Sequence, residues 1–132
     1  MGIEISHITY IVKDLNRSGR FLEKIFSAKE IYSSGQKTYS LASEKFYLIE
    51  KLWICIQEGE PLSQETYNHI AFKVDENELE IYIQKLEEID IKILKGRSRV
   101  EGEGKSIYFY DFDNHLFELH TGTLSDRLKH YQ

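Results

Sequence analysis

The chain of 132 residues has a formal net charge of -5, with 41% apolar and 30% charged residues and a single proline. This composition predicts one compact folded domain, and the negative charge disfavours nucleic acids and anionic membranes as partners. The one cysteine, Cys55, cannot form an internal disulfide, and no apolar run approaches the roughly 20 residues that span a bilayer. We therefore expect a cytoplasmic protein.

The first half of the chain is predicted to hold one strand, one helix and a series of short strands. Apolar, β-prone residues over 3–12 predict the first strand, and Asp14 is the expected N-cap of a helix that ends near Ser27. Apolar residues recur within that helix at helical spacing. Short antiparallel strands are then predicted over 30–32, 38–42, 46–49 and 52–56, with a polar turn at 43–45.

The second half repeats this order of elements. A strand over 68–74 leads to Asp75, the expected cap of a second amphipathic helix. Further strands are predicted over 91–94, 106–110 and 116–120, with a polar loop over 95–105 and a turn at 111–114. We therefore expect an α+β fold of paired βαβββ modules, spanning about 1–57 and 67–121, with a linker over 58–66 and a tail over 122–132. Residues 124–132 of the tail are expected to form a short amphipathic helix.

A near-repeat relates the first strands of the two halves. The run from Ser6 to Asp14 returns 62 residues later as the run from Asn68 to Asp75, and each run places a histidine at its second position. Duplication would bring His7 and His69 to corresponding positions, and two converging imidazoles favour a metal site. Taken singly, each histidine is more often an ordinary hydrogen-bonded strand residue.

The last predicted strand offers a third metal ligand. Strand alternation puts Leu116, Glu118 and His120 on one face, where a carboxylate beside apolar residues is costly to bury unless it is paired or metal-bound. An exposed glutamate on a half-solvated strand is the plain alternative. Spacing alone does not choose between Glu118 and His120.

A group of basic and hydroxyl residues in the second half is suited to a phosphate or phosphonate, because arginine offers a planar fork of donors to tetrahedral oxygens. The group consists of Lys95, Arg97, Ser98, Arg99, Lys105, Ser106, Tyr108 and Arg127. The alternative is a solvated loop, since Glu101 and Glu103 interrupt the positive run. Glu44, in the predicted polar turn, has no local feature that distinguishes it from a solvated glutamate.

Several motifs occur together along the chain. They are the two histidine contexts, Trp53-Ile54-Cys55, Tyr67-Asn68-His69, and the segments 101–111 and 115–120. Together these motifs resemble the fosfomycin-resistance proteins of the vicinal oxygen chelate superfamily, and within that group the FosX type of metal-dependent epoxide hydrolase. The resemblance covers essentially the whole chain.

This resemblance implies that His7, His69 and Glu118 bind a divalent metal, most readily Mn²⁺, and it decides the third ligand against His120. It also implies that Glu44 is the general base that takes a proton from the attacking water. Thr9 follows His7 by two residues, so its hydroxyl would face the same side and donate to the alkoxide that forms.

The resemblance further implies a substrate pocket for fosfomycin, an epoxy phosphonate. Trp53, Ser106, Tyr108 and Arg127 match pocket positions, with Tyr108 and Arg127 expected on the phosphonate. Arg97 and Arg99 are further candidate contacts. Lys105 stands where FosA-type chains carry an acidic residue near a bound monovalent cation, so we expect no K⁺ requirement.

Such proteins exchange modules between two chains. We therefore expect a homodimer in which His7 comes from one chain and His69 and Glu118 come from the other. Two other functions stay open: a thiol transferase acting on fosfomycin at the same metal site, and a non-catalytic drug-binding protein of the same fold.

Overall fold

A computed structural model of the chain describes residues 1–37, 39–96 and 101–131. The chain divides into two compact units. The first consists of Met1–Gln64 with Phe112–His115, and the second consists of Glu65–Asp111 with Leu116–Gln132. In the described part of the chain, no helix has the length and apolar character needed to cross a membrane.

The first unit contains one helix and a four-stranded sheet. Its elements are β1 (His7–Val12), α1 (Leu15–Phe26), β2 (Lys29–Ser33), β3 (Glu44–Ile49) and β4 (Leu52–Glu58). The strand order is β1-β4-β3-β2, with β1 and β4 parallel and the other pairs antiparallel. Within this sheet β1 pairs with β4 alone, so β1 is an outer strand.

Helix α1 begins and ends where the sequence predicts. The Asp14 carboxylate accepts a hydrogen bond from the Arg17 amide at 3.0 Å, and Ser27 ends the helix in the left-handed conformation at φ 52°. Leu22 and Ile25 are buried at 2% and 0% exposure, so the helix buries its apolar stripe in the core of this unit. The buried carboxylate of Asp113 accepts from the Lys13 amide at 3.0 Å and thereby secures the turn between β1 and α1.

The two faces of this sheet have different compositions. Val12, Ile54 and Ile56 are on one face, each at 1% exposure or less, and form the core. Register pairs His7 with Trp53 and Thr9 with Cys55, and it pairs Phe46 with Cys55 and Glu44 with Gln57. Because partners in register share a face, the candidate functional residues of this unit all lie on the opposite face.

The second unit repeats this plan with fewer strands. Its elements are β5 (His69–Lys73), a 3₁₀ turn (Glu76–Glu78), α2 (Leu79–Glu88), β6 (Ser106–Tyr110), β7 (Leu116–His120) and α3 (Leu124–His130). The strand order is β5-β7-β6, with β5 and β7 parallel and β6 and β7 antiparallel. In both units the histidine-bearing first strand pairs in parallel with the last strand, as a duplication predicts.

The second sheet also divides its faces between core and function. Phe109, Phe117 and Leu119 are buried at 0–1% exposure, and the Phe109 and Phe117 rings stack at 5.6 Å. Register pairs Ala71 with Glu118 and Ser106 with His120, which places the polar residues together on the other face. The predicted α+β fold of paired modules is confirmed, and the bounds of β6, β7 and α3 agree with prediction to within two residues.

Four predictions about local structure are wrong. Strand β1 begins at His7 rather than at residue 3. Residues 39–42 of the predicted strand over 38–42 form bends instead, and Thr38 lies outside the described residues. Tyr39 and Leu41 are 80% and 95% exposed, so neither side chain packs against the core. The predicted strand at 91–94 is reduced to one isolated bridge between Leu94 and Tyr108. Asp75 makes no side-chain cap bond.

The predicted polar turn at 43–45 is also wrong, and this error bears on function. Glu44 and Lys45 are the first residues of β3. The Ser34 amide donates to the Glu44 carbonyl at 3.0 Å, and the Glu44 amide donates to Ser34 Oγ at 2.9 Å. These two bonds extend the ladder by one position and bring Glu44 into the sheet. The predicted module bounds, linker and tail stay a prediction.

Candidate active site

In the first unit, the His7 ring packs against the side chain of Trp53, which in turn contacts Phe46. His7 opens β1 and is exposed, its Nδ1 lies 3.1 Å from Ser6 Oγ, and its ring stacks on Trp53 at 4.1 Å between centroids. Trp53 in turn meets the edge of Phe46 at 5.1 Å. Since Ser6 engages Nδ1, the Nε2 lone pair of His7 is the one that could bind a metal.

A buried polar group lies on the same face as His7. Glu44 is 8% exposed and Cys55 is 4% exposed, and Cys55 Sγ donates to Glu44 Oε1 at 3.5 Å. Thr9 pairs with Cys55 in the register of β1 and β4, so its side chain lies beside the thiol on this face. Glu44 is therefore not the solvated turn residue that the sequence suggested. A carboxylate without a partner or a function is costly to bury, so the burial of Glu44 indicates a functional role.

The thiol of Cys55 is held in its protonated form. Burial, with the Glu44 carboxylate as a second cause, raises the pKa of Cys55 to about 11.

We expect a thiolate-selective reagent at pH 8 to react with native Cys55 about 100-fold more slowly than with the unfolded chain, since the thiolate fraction falls tenfold per pKa unit. The rate should rise with pH up to about 11. Absorbance of the released aromatic thiol measures it, with the chain in guanidinium chloride as control, and rapid native reaction at pH 8 would contradict a protonated thiol.

The second unit brings a histidine and a carboxylate together. His69 Nδ1 lies 2.6 Å from the Tyr67 carbonyl, which can only accept, so Nδ1 carries the proton and Nε2 is left with its lone pair. His69 Nε2 lies 3.0 Å from Glu118 Oε1. Ligand atoms on neighbouring corners of an octahedral divalent ion, each bonded at about 2.1 Å, lie about 3.0 Å apart, so this pair fits a metal.

Glu118 is buried at 5% exposure, so the alternative of an exposed strand glutamate does not hold. Its second oxygen, Oε2, accepts from Ser106 Oγ at 2.6 Å. The sequence predicts that His120 shares this face, and the structure agrees: its Nδ1 lies 2.7 Å from Ser106 Oγ and 3.5 Å from Glu118 Oε2. His120 Nε2 accepts from Arg127 Nη2 at 3.2 Å.

These side chains surround a cavity of about 350 Å³ within the second unit. It is lined by His69, Ala71, Glu118, His120, Gly122, Thr123, Leu124 and Arg127. Helix α3 supplies Arg127, and the Thr123 hydroxyl caps that helix by accepting from the Asp126 amide at 3.1 Å. A carboxylate-imidazole pair and a guanidinium in one cavity suit a metal together with an oxyanion.

Tyr108 lies beside this group on β6. It is buried at 4% exposure, its ring meets the edge of His69 at 5.5 Å, and its hydroxyl accepts from that of Tyr67 at 3.3 Å. Sequence reasoning did not single out Tyr67. Its position two residues before His69, in a motif shared by the resemblance, was the available signal.

The predicted site residues therefore fall into two groups. His7, Thr9, Glu44 and Trp53 share one face of the first unit, whereas His69, Ser106, Tyr108, Glu118 and Arg127 gather in the second. Within the described residues, no three side chains of histidine, cysteine, aspartate or glutamate gather as a metal site in one chain. Arg97 and Arg99 lie outside the described residues.

Each of the two modules has a first strand that starts with an imidazole and pairs in parallel with the last strand of its sheet. A family model described as a glyoxalase-like domain matches residues 5–123.

The relatives narrow this class. Fosfomycin resistance protein FosX of Listeria monocytogenes is 61% identical over 96% of each chain, whereas metallothiol transferase FosB of Staphylococcus saprophyticus is 38% identical over 97% of this chain and 83% of its own. The crystal structure of a Listeria monocytogenes FosX mutant complexed with Mn(II) and 1S,2S-dihydroxypropylphosphonic acid superposes with a TM-score of 0.90, at 55% identity and full coverage of both chains. The chain therefore belongs to the glyoxalase-like family and, within it, to the FosX fosfomycin resistance proteins.

Proposed function

We propose that this chain is a Mn²⁺-dependent epoxide hydrolase that adds water to fosfomycin and yields an inactive diol, so conferring fosfomycin resistance. The Mn(II) and dihydroxypropylphosphonic acid bound by the related FosX are a metal and a product that fit this reaction. The observation that carries the choice of hydrolysis is the burial of Glu44 on the same sheet face as His7 and Thr9. A general base needs such a fixed position close to the reacting atoms.

His7, His69 and Glu118 are the proposed metal ligands. The free Nε2 of His69, its 3.0 Å approach to Glu118 Oε1 and the exposed ring of His7 support this assignment. When bound, the divalent ion supplies Lewis-acid stabilisation of the negative charge that develops on the epoxide oxygen.

We propose that two chains share each site, His7 coming from one chain and His69 and Glu118 from its partner. β1 and β5 are each an outer strand of their sheet. Their functional faces and edges are exposed in the single chain, as are the apolar Ile3 and Ile5 at 100% and 72%. A second copy would cover this apolar surface and complete the ligand set. We also propose a cytoplasmic location, in keeping with the lone thiol.

Glu44 is the proposed base. Cys55 donates to its Oε1, and within the described residues Oε2 has no hydrogen-bond partner, so Oε2 is the atom that takes the proton of the attacking water. Water then adds to the epoxide carbon next to phosphorus as the C–O bond breaks. The Thr9 hydroxyl donates to the oxygen released by that bond, which stabilises the charge in the transition state.

The pocket residues orient the phosphonate. Arg127 and Tyr108 are the proposed phosphonate contacts, since a guanidinium and a phenol both donate to tetrahedral oxygens. Trp53 packs beside the substrate and fixes the His7 ring. Ser106 and Arg99 complete the proposed set. Ser106 lies beside the pocket without donating to the phosphonate, because its hydroxyl proton goes to Glu118 Oε2, and Arg99 lies outside the described residues.

Phosphorus NMR of fosfomycin incubated with the Mn²⁺-loaded protein tests the proposal. We expect the diol to accumulate at the same rate with and without an added thiol. A thiol adduct as the product would instead establish a transferase, and an unchanged epoxide beside bound drug would establish a binding protein.

We also propose that activity does not depend on K⁺. The Lys105 ammonium lies 3.8 Å from the Glu76 carboxylate on the exposed surface of the second unit. The proposal is that this positive charge takes the place of a bound monovalent ion. Hydrolysis rates in KCl and in tetramethylammonium chloride at constant ionic strength should agree within about twofold, because both salts screen charge alike. A strong rise with K⁺ alone would count against this reading of Lys105.

A further inference from the structure

We propose that Ser106, His120 and Arg127 form a directed hydrogen-bond chain that fixes one oxygen of Glu118 and orients Arg127, which makes His120 a positioning residue for two parts of the site. This inference rests on the proposed function for the roles of Glu118 and Arg127. Neither the metal ligands nor the substrate contacts proposed above include His120.

The direction of the chain follows from the chemistry of its members. Arginine only donates, so at 3.2 Å Arg127 Nη2 donates to His120 Nε2, which must carry a lone pair. A neutral imidazole with a bare Nε2 has its proton on Nδ1. His120 Nδ1 therefore donates to Ser106 Oγ at 2.7 Å, and the hydroxyl proton of Ser106 goes to Glu118 Oε2 at 2.6 Å.

This direction divides the two oxygens of Glu118 between separate tasks. Oε2 accepts from Ser106, whereas Oε1 faces His69 Nε2 at 3.0 Å, the separation of two neighbouring ligand atoms on one divalent ion. Outer hydrogen bonds of this kind orient a ligating carboxylate, and their loss typically costs metal affinity. Ser106 thus acts on the metal through Glu118, because its only proton is already committed.

At the other end, the chain orients Arg127. The side chain is half-buried on α3, and the bond from Nη2 to His120 is its only hydrogen bond to the described residues. A guanidinium has five N–H donors, so the remaining donors are available to an oxyanion in the adjoining cavity. Without His120, the long arginine side chain would have to be ordered by the substrate itself, at a cost in affinity.

Replacing His120 by its two amide mimics separates these tasks. In His120→Asn the amide nitrogen takes the place of Nδ1 and can still donate to Ser106, while the contact with Arg127 is lost. In His120→Gln the amide oxygen takes the place of Nε2 and can still accept from Arg127, while the donor to Ser106 is lost.

The expected results are opposite for the two variants. Mn²⁺ affinity, measured by calorimetric titration without substrate, should fall about 10- to 100-fold in His120→Gln and stay within about threefold in His120→Asn. The KM for fosfomycin should rise about tenfold in His120→Asn and less in His120→Gln. Equal losses of Mn²⁺ affinity in both variants, or no loss in His120→Gln, would overturn the proposed hydrogen-bond chain.

Two further variants guard against a general structural effect. Ser106→Ala should weaken Mn²⁺ binding as His120→Gln does, and the double variant should lose little more, since both break one chain. Additive losses would overturn the proposal. His130→Asn, on α3 but outside the chain, is the matched control and should change neither quantity. If the wild-type protein binds Mn²⁺ without hydrolysing fosfomycin, the proposed function is wrong. The Mn²⁺ titrations would still test whether His120 and Ser106 position Glu118 for the metal.

Discussion

Replacing Glu44 by glutamine is expected to lower the rate of diol formation about 10²- to 10⁴-fold, the usual contribution of a positioned general base. Glutamine keeps the shape and the hydrogen-bond acceptor toward Cys55, whose thiol lies 3.5 Å from Oε1, but it cannot accept the proton of water. Folding and Mn²⁺ affinity should therefore be retained. Phosphorus NMR gives the rate, and calorimetric titration gives the metal affinity.

Glu58→Gln is a suitable control for the Glu44 experiment. Glu58 ends β4 in the same sheet and is exposed, so its loss changes the net charge equally without touching the buried group. Diol formation in this control should match wild type. Undiminished hydrolysis by the Glu44 variant would mean that another group activates the water.

Two inactive variants are expected to regain activity when they are combined in one dimer. His7→Ala and Glu118→Ala should each abolish Mn²⁺-dependent hydrolysis as homodimers. In a mixed dimer with shared sites, one site pairs the intact His7 of one chain with the intact His69 and Glu118 of the other, and the second site carries both lesions. Random assortment then leaves about a quarter of all sites intact, because half of the dimers are mixed and each holds one good site.

Co-expression of the two variants with different affinity tags, followed by tandem purification, isolates the mixed dimer for this test. Its rate per site should be about half that of wild type, as one of its two sites is complete. A site built within one chain predicts no recovery at all, since every chain then carries a lesion in its own ligand set. The outcome thus distinguishes shared from separate sites.

Most of the fold could be predicted because the signals were local. The Asp14 cap, the apolar stripe of α1 and the strand patterns of β6 and β7 each depend on residues close in sequence. The errors arose where a distant partner decided the structure. Residues 39–42 form bends, and their apolar side chains stay largely exposed instead of packing against another element. In the segment 91–94, only Leu94 pairs with β6.

The candidate site shows the same division. The repeat around His7 and His69 was visible in the sequence, and the hairpin of β6 and β7 could have paired Ser106 with His120 by counting from its turn. The burial of Glu44 could not be found in this way, since it depends on hydrogen bonds to Ser34, ten residues away. Nor could the contact between His120 and Arg127, which depends on where α3 docks.

The separation of each sheet into an apolar face and a polar face has an evolutionary consequence. Ile54 and Ile56 stabilise the first unit from one side, and Phe109 and Leu119 stabilise the second, while the reactive groups lie across the backbone from them. A substitution among the reactive groups therefore leaves the apolar side of each sheet in place. Such an arrangement lets substitutions that change the chemistry accumulate on one face while the other face continues to stabilise the fold.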